Sequence, residues 1–343
     1  MTRRSLLART LASLAAGAAL WTGVWMGTAH AQEVTLRFGS VTPQAGYIHS
    51  QHLQPFADRV GEATDGRLKL DLQPVGVYGG AGQLLELVEN GIVDMAWIVP
   101  GYSPGRFEAS GVIELPFLFD SSEEASDAYY TMFEEGLFDE DFENLKVLAL
   151  WTHKPYGLFT RGDAVENLAG VKGLKVRVPS EVLSKTVEAL GGNPVGMPVT
   201  EIAEALRLGT VDASMFPYEA VKPFGLEGLF KGFSNTNMLA TRFAVIMNKD
   251  RYESLPDDLK KALDDASGRD FSLSMAKGFD KAEAEVAAAY AENPDYTVVD
   301  PSPEAIEEMK GAVAPVIDGW AADTKLRSAD PKALLERARA PSE

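Results

Sequence analysis

Gly66-Arg-Leu-Lys-Leu-Asp-Leu-Gln73 and Gly82-Gln-Leu-Leu-Glu-Leu-Val-Glu-Asn-Gly-Ile-Val-Asp-Met-Ala-Trp-Ile-Val99 set out a strand, a helix and a second strand in quick succession. Leu68, Leu70 and Leu72 share one face at the period of two that an extended chain requires. Residues 82–90 repeat apolar positions at helical spacing and stop at Gly91, a residue that takes the left-handed C-terminal conformation without steric cost. Residues 93–99 are almost wholly apolar, as in a strand buried on both faces. Upstream, residues 34–38 alternate apolar and polar, and a helical run follows over 47–63. This β-α-β-α-β order predicts an α/β fold with a mostly parallel sheet covered by helices.

The pattern returns later. Gly173-Leu-Lys-Val-Arg-Val-Pro179 resembles the stretch from Gly66 to Pro74, and Leu206-Arg-Leu-Gly-Thr-Val-Asp212 resembles Leu87-Val-Glu-Asn-Gly-Ile-Val-Asp94. Two different elements recurring in the same order predict two similar lobes. Residues 237–248 are long and apolar enough for one strand crossing between them. Residues 256–293 lack an internal proline and carry Leu, Ala, Phe and Met at helical spacing behind Pro256 and Asp257-Asp258. A helix of that length runs about 50 Å and spans both lobes, with Gly268 and Gly278 as places for a bend or for close packing.

The N-terminus reads as an export signal. Arg3, Arg4 and Arg9 precede an uncharged Ala/Gly/Leu run over 11–26, and Ala29-His30-Ala31 fits a small-x-small cleavage site, which places the cut after Ala31. The run is weak for a membrane span; a retained anchor is the alternative, and Arg3-Arg4 leaves twin-arginine export open. Losing those three arginines takes the formal charge from −18 to near −21, which argues against nucleic acid and anionic membrane surfaces as partners. Cysteine is absent, which removes disulfides, thiolate nucleophiles and zinc–thiolate sites.

Catalytic patterns are missing. Past the signal only His49, His52 and His153 remain; the first two share a helix face but have no third ligand nearby, so no metal or cofactor is expected. No Gly-x-Ser-x-Gly elbow occurs. Gly76-Val-Tyr-Gly-Gly-Ala-Gly82 lacks phosphate-loop spacing and reads as a ligand-facing loop.

Specific strings carry a family likeness. Gly91-Ile-Val-Asp-Met-Ala96, Gly101-Tyr-Ser-Pro-Gly-Arg-Phe107 and Glu114-Leu-Pro-Phe117 resemble the first lobe of TRAP transporter solute-binding proteins of the DctP type. The string from Gly173 to Pro179, Leu190-Gly-Gly-Asn-Pro-Val195, Met197-Pro198 with Glu201, and Gly209-Thr-Val-Asp212 resemble the second. Met247-Asn-Lys-Asp-Arg-Tyr252 with Leu255-Pro256 resembles the start of the long helix. The resemblance implies a two-lobed periplasmic binding protein of venus-flytrap type, with hinge strands and one long lobe-spanning helix. Residues 1–31 form the signal, 32–154 plus 243–282 the first lobe, and 155–242 plus 283–343 the second. It further implies a periplasmic monomer that passes a small carboxylate to the small and large integral-membrane subunits of a sodium-coupled transporter. The alternatives are a module feeding an ATP-driven transporter or a sensor kinase, and an enzyme acting on an organic acid.

The resemblance also assigns the ligand carboxylate to Arg177. That residue lies near the C-terminal end of a strand, the cleft edge of an open α/β sheet, and its planar guanidinium suits a carboxylate. Its structural alternative is a pair with Glu181. Ser180 is placed to cap the next helix. Departures from the family pattern are apolar: Phe216 stands where an Asn often precedes proline, Val99 and Val41 stand at polar contact positions, and Tyr156 stands where a second arginine sometimes lies. An apolar or aromatic body on the carboxylate is therefore expected, with Tyr47, Tyr78, Trp97, Val99, Tyr102, Tyr156, Val199, Phe216 and Tyr218 as wall candidates and Glu219 read as structural.

Overall fold

The structure, a computed structural model, describes residues 33–340; the expected signal segment and its cleavage after Ala31 lie outside them. Strands β1 (Val34–Gly39), β2 (Leu68–Gln73), β3 (Met95–Ile98) and β4 (Leu145–Thr152) precede β5 (Tyr156–Thr160), β6 (Lys175–Val178), β7 (Asn193–Gly196) and β8 (Ala213–Phe216). Then come β9 (Gly232–Leu239), β10 (Arg242–Asn248) and β11 (Thr297–Val299). They form two sheets, β2-β1-β3-β10-β4 and β11-β9-β5-β8-β6-β7. Each sheet has three mutually parallel strands (β2-β1-β3; β7-β6-β8), then one antiparallel to them (β10; β5) and one reversed again (β4; β9), and the second sheet adds β11 parallel to β9. The lobes therefore share a topology, as the recurrent pattern predicts.

One of the two sequence parallels holds at the level of atoms. Asp94 accepts the backbone N–H of Arg37 on β1 at 2.7 Å, and Asp212 accepts that of Lys175 on β6 at 3.0 Å. Each aspartate follows a glycine stop and clips the start of its own strand to the neighbouring one. The other parallel does not map: β2 is an edge strand, whereas β6 lies between β7 and β8 and is the counterpart of β1.

Helices α1 (Gln54–Ala63), α2 (Leu84–Glu89) and α3 (Ser122–Glu134) belong with the first sheet. The run expected over 47–63 is helical from Tyr47 onward, with a π-helical turn at His49–Leu53 within it. Helices α4 (Glu181–Ala189), α5 (Ile202–Leu208) and the short α6 (Tyr218–Val221) accompany the second sheet. Tyr156 and Leu158 of β5 enter one apolar cluster and Phe159 the other, so this sheet buries both faces at the strand period of two.

The expected crossing strand over 237–248 is two strands in two sheets, broken at Ala240-Thr241. A second crossing, His153-Lys154-Pro155, joins β4 to β5. The crossings touch: the His153 N–H donates to the Thr241 carbonyl at 3.2 Å.

After α7 (Lys249–Glu253) the predicted single long helix is also two, α8 (Asp257–Ala266) and α9 (Arg269–Ala291). Gly268 has φ +87°, a conformation that other residues rarely adopt, and its N–H donates to the Leu148 carbonyl at 2.7 Å. Helix α9 alone is about 35 Å long; it touches α3 and β4 on one side and α6 and β11 on the other, so it still spans the lobes. At Gly278 the helix continues unbroken, and a Cβ there would lie 2.2 Å from His52 Nε2, so the glycine permits close packing.

The C-terminal boundary differs from expectation. In α10 (Pro303–Asp323), Met309 and Val313 pack in the second lobe, but Trp320 reaches the core of the first. Leu334, Leu335 and Ala338 of α11 (Pro331–Arg339) belong to that first core, so the chain crosses back instead of staying with the second lobe to its end.

Gly157 sits at a register shift in β5, and a Cβ there would fall 1.8 Å from the Ser234 carbonyl oxygen of β9. Gly157→Ala is expected to cost about 3 kcal/mol or more in urea unfolding, since backbone on backbone cannot relax as a side chain does.

Candidate functional site

The second sheet brings Arg177 to the lip between the lobes. It stands one residue before the end of β6, pairs in register with Ser214 of β8, and is 3% exposed. Its Nε–H donates to the Met197 carbonyl at 2.9 Å, and Nη2 donates to the Tyr102 hydroxyl of the first lobe at 3.1 Å. Among the described residues no carboxylate pairs with it; Glu181 is taken by Lys185 at 2.9 Å. Arg242, equally buried, shows the usual arrangement, with Glu114 at 3.5 Å and bonds to the Phe107 carbonyl and the Ser110 hydroxyl. A buried cation normally needs such an anion. Arg177 keeps its remaining N–H donors for a cavity.

Tyr102 adds to this. Its oxygen accepts from Arg177 and also from the Val199 N–H at 3.0 Å, both in the second lobe. A hydroxyl with both lone pairs occupied has only its proton left to offer, so the Tyr102 O–H is a further donor beside the guanidinium.

The cavity and its open mouth together comprise about 470 Å3 of space free of protein atoms. Its lining includes seven of the residues expected from sequence: Arg177, Tyr102, Trp97, Val99, Tyr156, Val199 and Phe216. Val41 also lines it, as the apolar departures predict. Trp97 packs edge-on to Phe243, with ring centroids 5.5 Å apart.

Four expected residues do not line it. Ser180 accepts from the Leu183 N–H and caps α4, so it serves the helix beyond the strand end. Tyr47 lies against His52 and α9 at Gly278. Tyr78 bonds to Asp71, and its glycine-rich loop lines no part of this cavity; Gly82 instead lies against Pro198. Tyr218 points into the second-lobe core, with its hydroxyl donating to Asn235 Oδ1 at 2.8 Å and its ring stacked on Phe233.

The wall is more polar than expected. Thr42, His153, Thr241 and Glu219 line it as well, with Phe224, Phe243 and Phe279. His153 and Thr241 are the crossing residues, and the Thr241 hydroxyl shares a hydrogen bond of 2.6 Å with Tyr156. Burial, and then the charge on Arg177, push the His153 imidazole down to about 3, so it faces the site neutral, with one donor and one acceptor nitrogen. Their location at a break between strands was the available signal, since a crossing must lie at the lobe junction.

Glu219 faces the cavity because Tyr218 faces the core one position earlier in α6. Glu283 of α9 fixes that turn: its carboxylate accepts the N–H of Tyr218 at 2.9 Å and that of Glu219 at 3.0 Å. Burial first, and the nearby Glu283 second, push the Glu219 carboxyl up to about 8.

The family model for bacterial extracellular solute-binding proteins, family 7 (DctP), matches residues 38–323. The chain belongs to that family. A marine metagenome TRAP solute-binding protein specific for aromatic acid ligands, solved with 3-hydroxybenzoate, is 31% identical to this solute-binding protein over 90% of its chain and 97% of the other, with a TM-score of 0.85. A TRAP solute-binding protein from Rhodoferax ferrireducens, solved with copurified benzoate, is 30% identical over 89% and 96%, with a TM-score of 0.83. One from Bordetella bronchiseptica with bound mandelate is 26% identical over 90% and 98%, with a TM-score of 0.81. Among the described residues of this solute-binding protein, no helix is long and apolar enough to cross a membrane.

The raised Glu219 carboxyl has a consequence for stability. The folded state holds a proton that the unfolded chain loses from about 4.5 upward, so this group's contribution to stability falls as pH rises from there to about 8. Glu219→Gln removes that dependence. Scanning calorimetry is expected to show the melting temperature of the variant gaining on wild type between pH 5 and pH 8.

Proposed function

We propose that this solute-binding protein captures a small aromatic monocarboxylate in the periplasm and delivers it to the two integral-membrane subunits of a TRAP transporter. The observation that carries the reading is Arg177, a buried guanidinium with spare donors, no protein acid among the described residues, and an aromatic and aliphatic wall beside it. A ligand carboxylate supplies the missing anion, with the Tyr102 hydroxyl beside the guanidinium as a further donor. Trp97, Val99, Tyr156, Val199 and Phe216 enclose the ring. The bodies of benzoate, 3-hydroxybenzoate and mandelate in the similar proteins are of this kind. The protein acts as a monomeric receptor that returns its ligand unchanged, and it reaches the periplasm by cleavage after Ala31. Residues 32–154 with 243–282 form the bulk of one lobe and 155–242 the bulk of the other; α10 and α11 tie the two together.

Isothermal titration with benzoate tests the anchor. Arg177→Ala is expected to weaken binding by about 2–5 kcal/mol, because the carboxylate is then buried unpaired. Arg177→Lys restores only part of this, since a point charge cannot hold Met197, Tyr102 and the ligand at once. Unchanged affinity in Arg177→Ala contradicts the assignment.

A further inference from the structure

Glu219 is the sole acid among the described residues that line the cavity. Its backbone N–H and that of Tyr218 are held by Glu283, and the Tyr218 hydroxyl is tied to Asn235, so the direction of the Glu219 side chain is set from both sides. No described side chain or backbone group hydrogen-bonds to its carboxyl oxygens. The groups that interact electrostatically with it are Glu283 on α9 and the Tyr47 hydroxyl of the first lobe, while Arg177 and His153 share the cavity lining and Lys154 acts on Glu283. Neither Glu283 nor Tyr47 is a cation. A polar group held in place, turned into a mostly apolar cavity and left without a protein partner is placed for a ligand atom.

That atom is not the ligand's carboxylate, which Arg177 and Tyr102 receive. The cavity therefore has two unlike polar faces, a cation on β6 and a carboxyl on α6, with Phe216, Pro217 and Ala220 close to the second. We propose that Glu219 hydrogen-bonds a hydroxyl group carried on the ligand's ring away from its carboxylate, so that the site selects a hydroxylated aromatic monocarboxylate over the unsubstituted acid. This rests on the reading of Arg177 as the carboxylate anchor. Burial and the neighbouring Glu283 push the Glu219 carboxyl towards its protonated form, which both donates and accepts, as a phenolic hydroxyl does, and does not repel the ligand's own charge.

The test is titration of benzoate, 3-hydroxybenzoate and 4-hydroxybenzoate into wild type, Glu219→Ala, Glu219→Gln and Arg177→Ala. Wild type is expected to bind one hydroxybenzoate about tenfold or more tighter than benzoate, the scale of one buried hydrogen bond. Within Glu219→Ala the ratio of hydroxybenzoate to benzoate affinity falls to about one, whatever the absolute affinities become, and Glu219→Gln, of the same shape and able to donate and accept, retains most of the ratio. Arg177→Ala weakens all three acids alike and so tests the anchor separately. Equal binding of plain and hydroxylated acids by wild type, or a hydroxyl preference that survives Glu219→Ala, overturns the role of Glu219 and leaves the anchor standing. Wild type that binds none of the three overturns both.

Discussion

A guanidinium buried without an acid partner among the described residues is the constraint around which this structure is arranged. In Arg242 the same problem is solved inside the protein, by Glu114 and two oxygens of the first lobe. In Arg177 it is solved only in part, by the Met197 carbonyl and the Tyr102 oxygen. Neutral acceptors orient the group but do not cancel its charge. The remaining electrostatic deficit is what a carboxylate relieves, and it lies in a low-dielectric cavity where that relief is large. A protein with a formal charge of −18 can hold an anion because the local geometry, not the distant field, faces the ligand.

The same residues tie binding to the meeting of the lobes. Tyr102 belongs to the first lobe, yet its hydroxyl oxygen takes both of its donors from the second. Next to it, Gly101 passes so close to the start of α4 that a Cβ would lie 2.6 Å from both the Pro179 carbonyl and the Ser180 Cβ. The crossings at 153–155 and 240–241 contribute His153 and Thr241 to the cavity itself. Glu283, on the helix that spans the lobes, sets the first turn of α6 and thereby the wall around Phe216 and Glu219. Movement of one lobe on the other therefore changes the site at several points at once.

Much of this was legible from residue patterns. Strand period, glycine stops and the aspartates that follow them located β1 to β3 and β8. The place of Arg177 near a strand end, read with the family likeness, pointed to the cleft. Gly268 marked a true break because a positive φ is required there. What escaped depends on contacts between distant parts of the chain. Whether Tyr218 or Glu219 enters the cavity is decided by Glu283, 65 residues from Tyr218. His153 and Thr241 lie in short crossings that have no periodicity to read. The return of α11 to the first core rests on Leu334, Leu335 and Ala338, an apolar face that looks the same whichever lobe it covers.

A crystal structure of the protein with benzoate would test the central claim most directly. The account predicts the carboxylate oxygens within hydrogen-bonding distance of the Arg177 Nη atoms and the Tyr102 hydroxyl, with the ring against Trp97 and Phe216. A carboxylate held by other residues, or an Arg177 that turns to a protein acid while the ligand lies elsewhere, would contradict it.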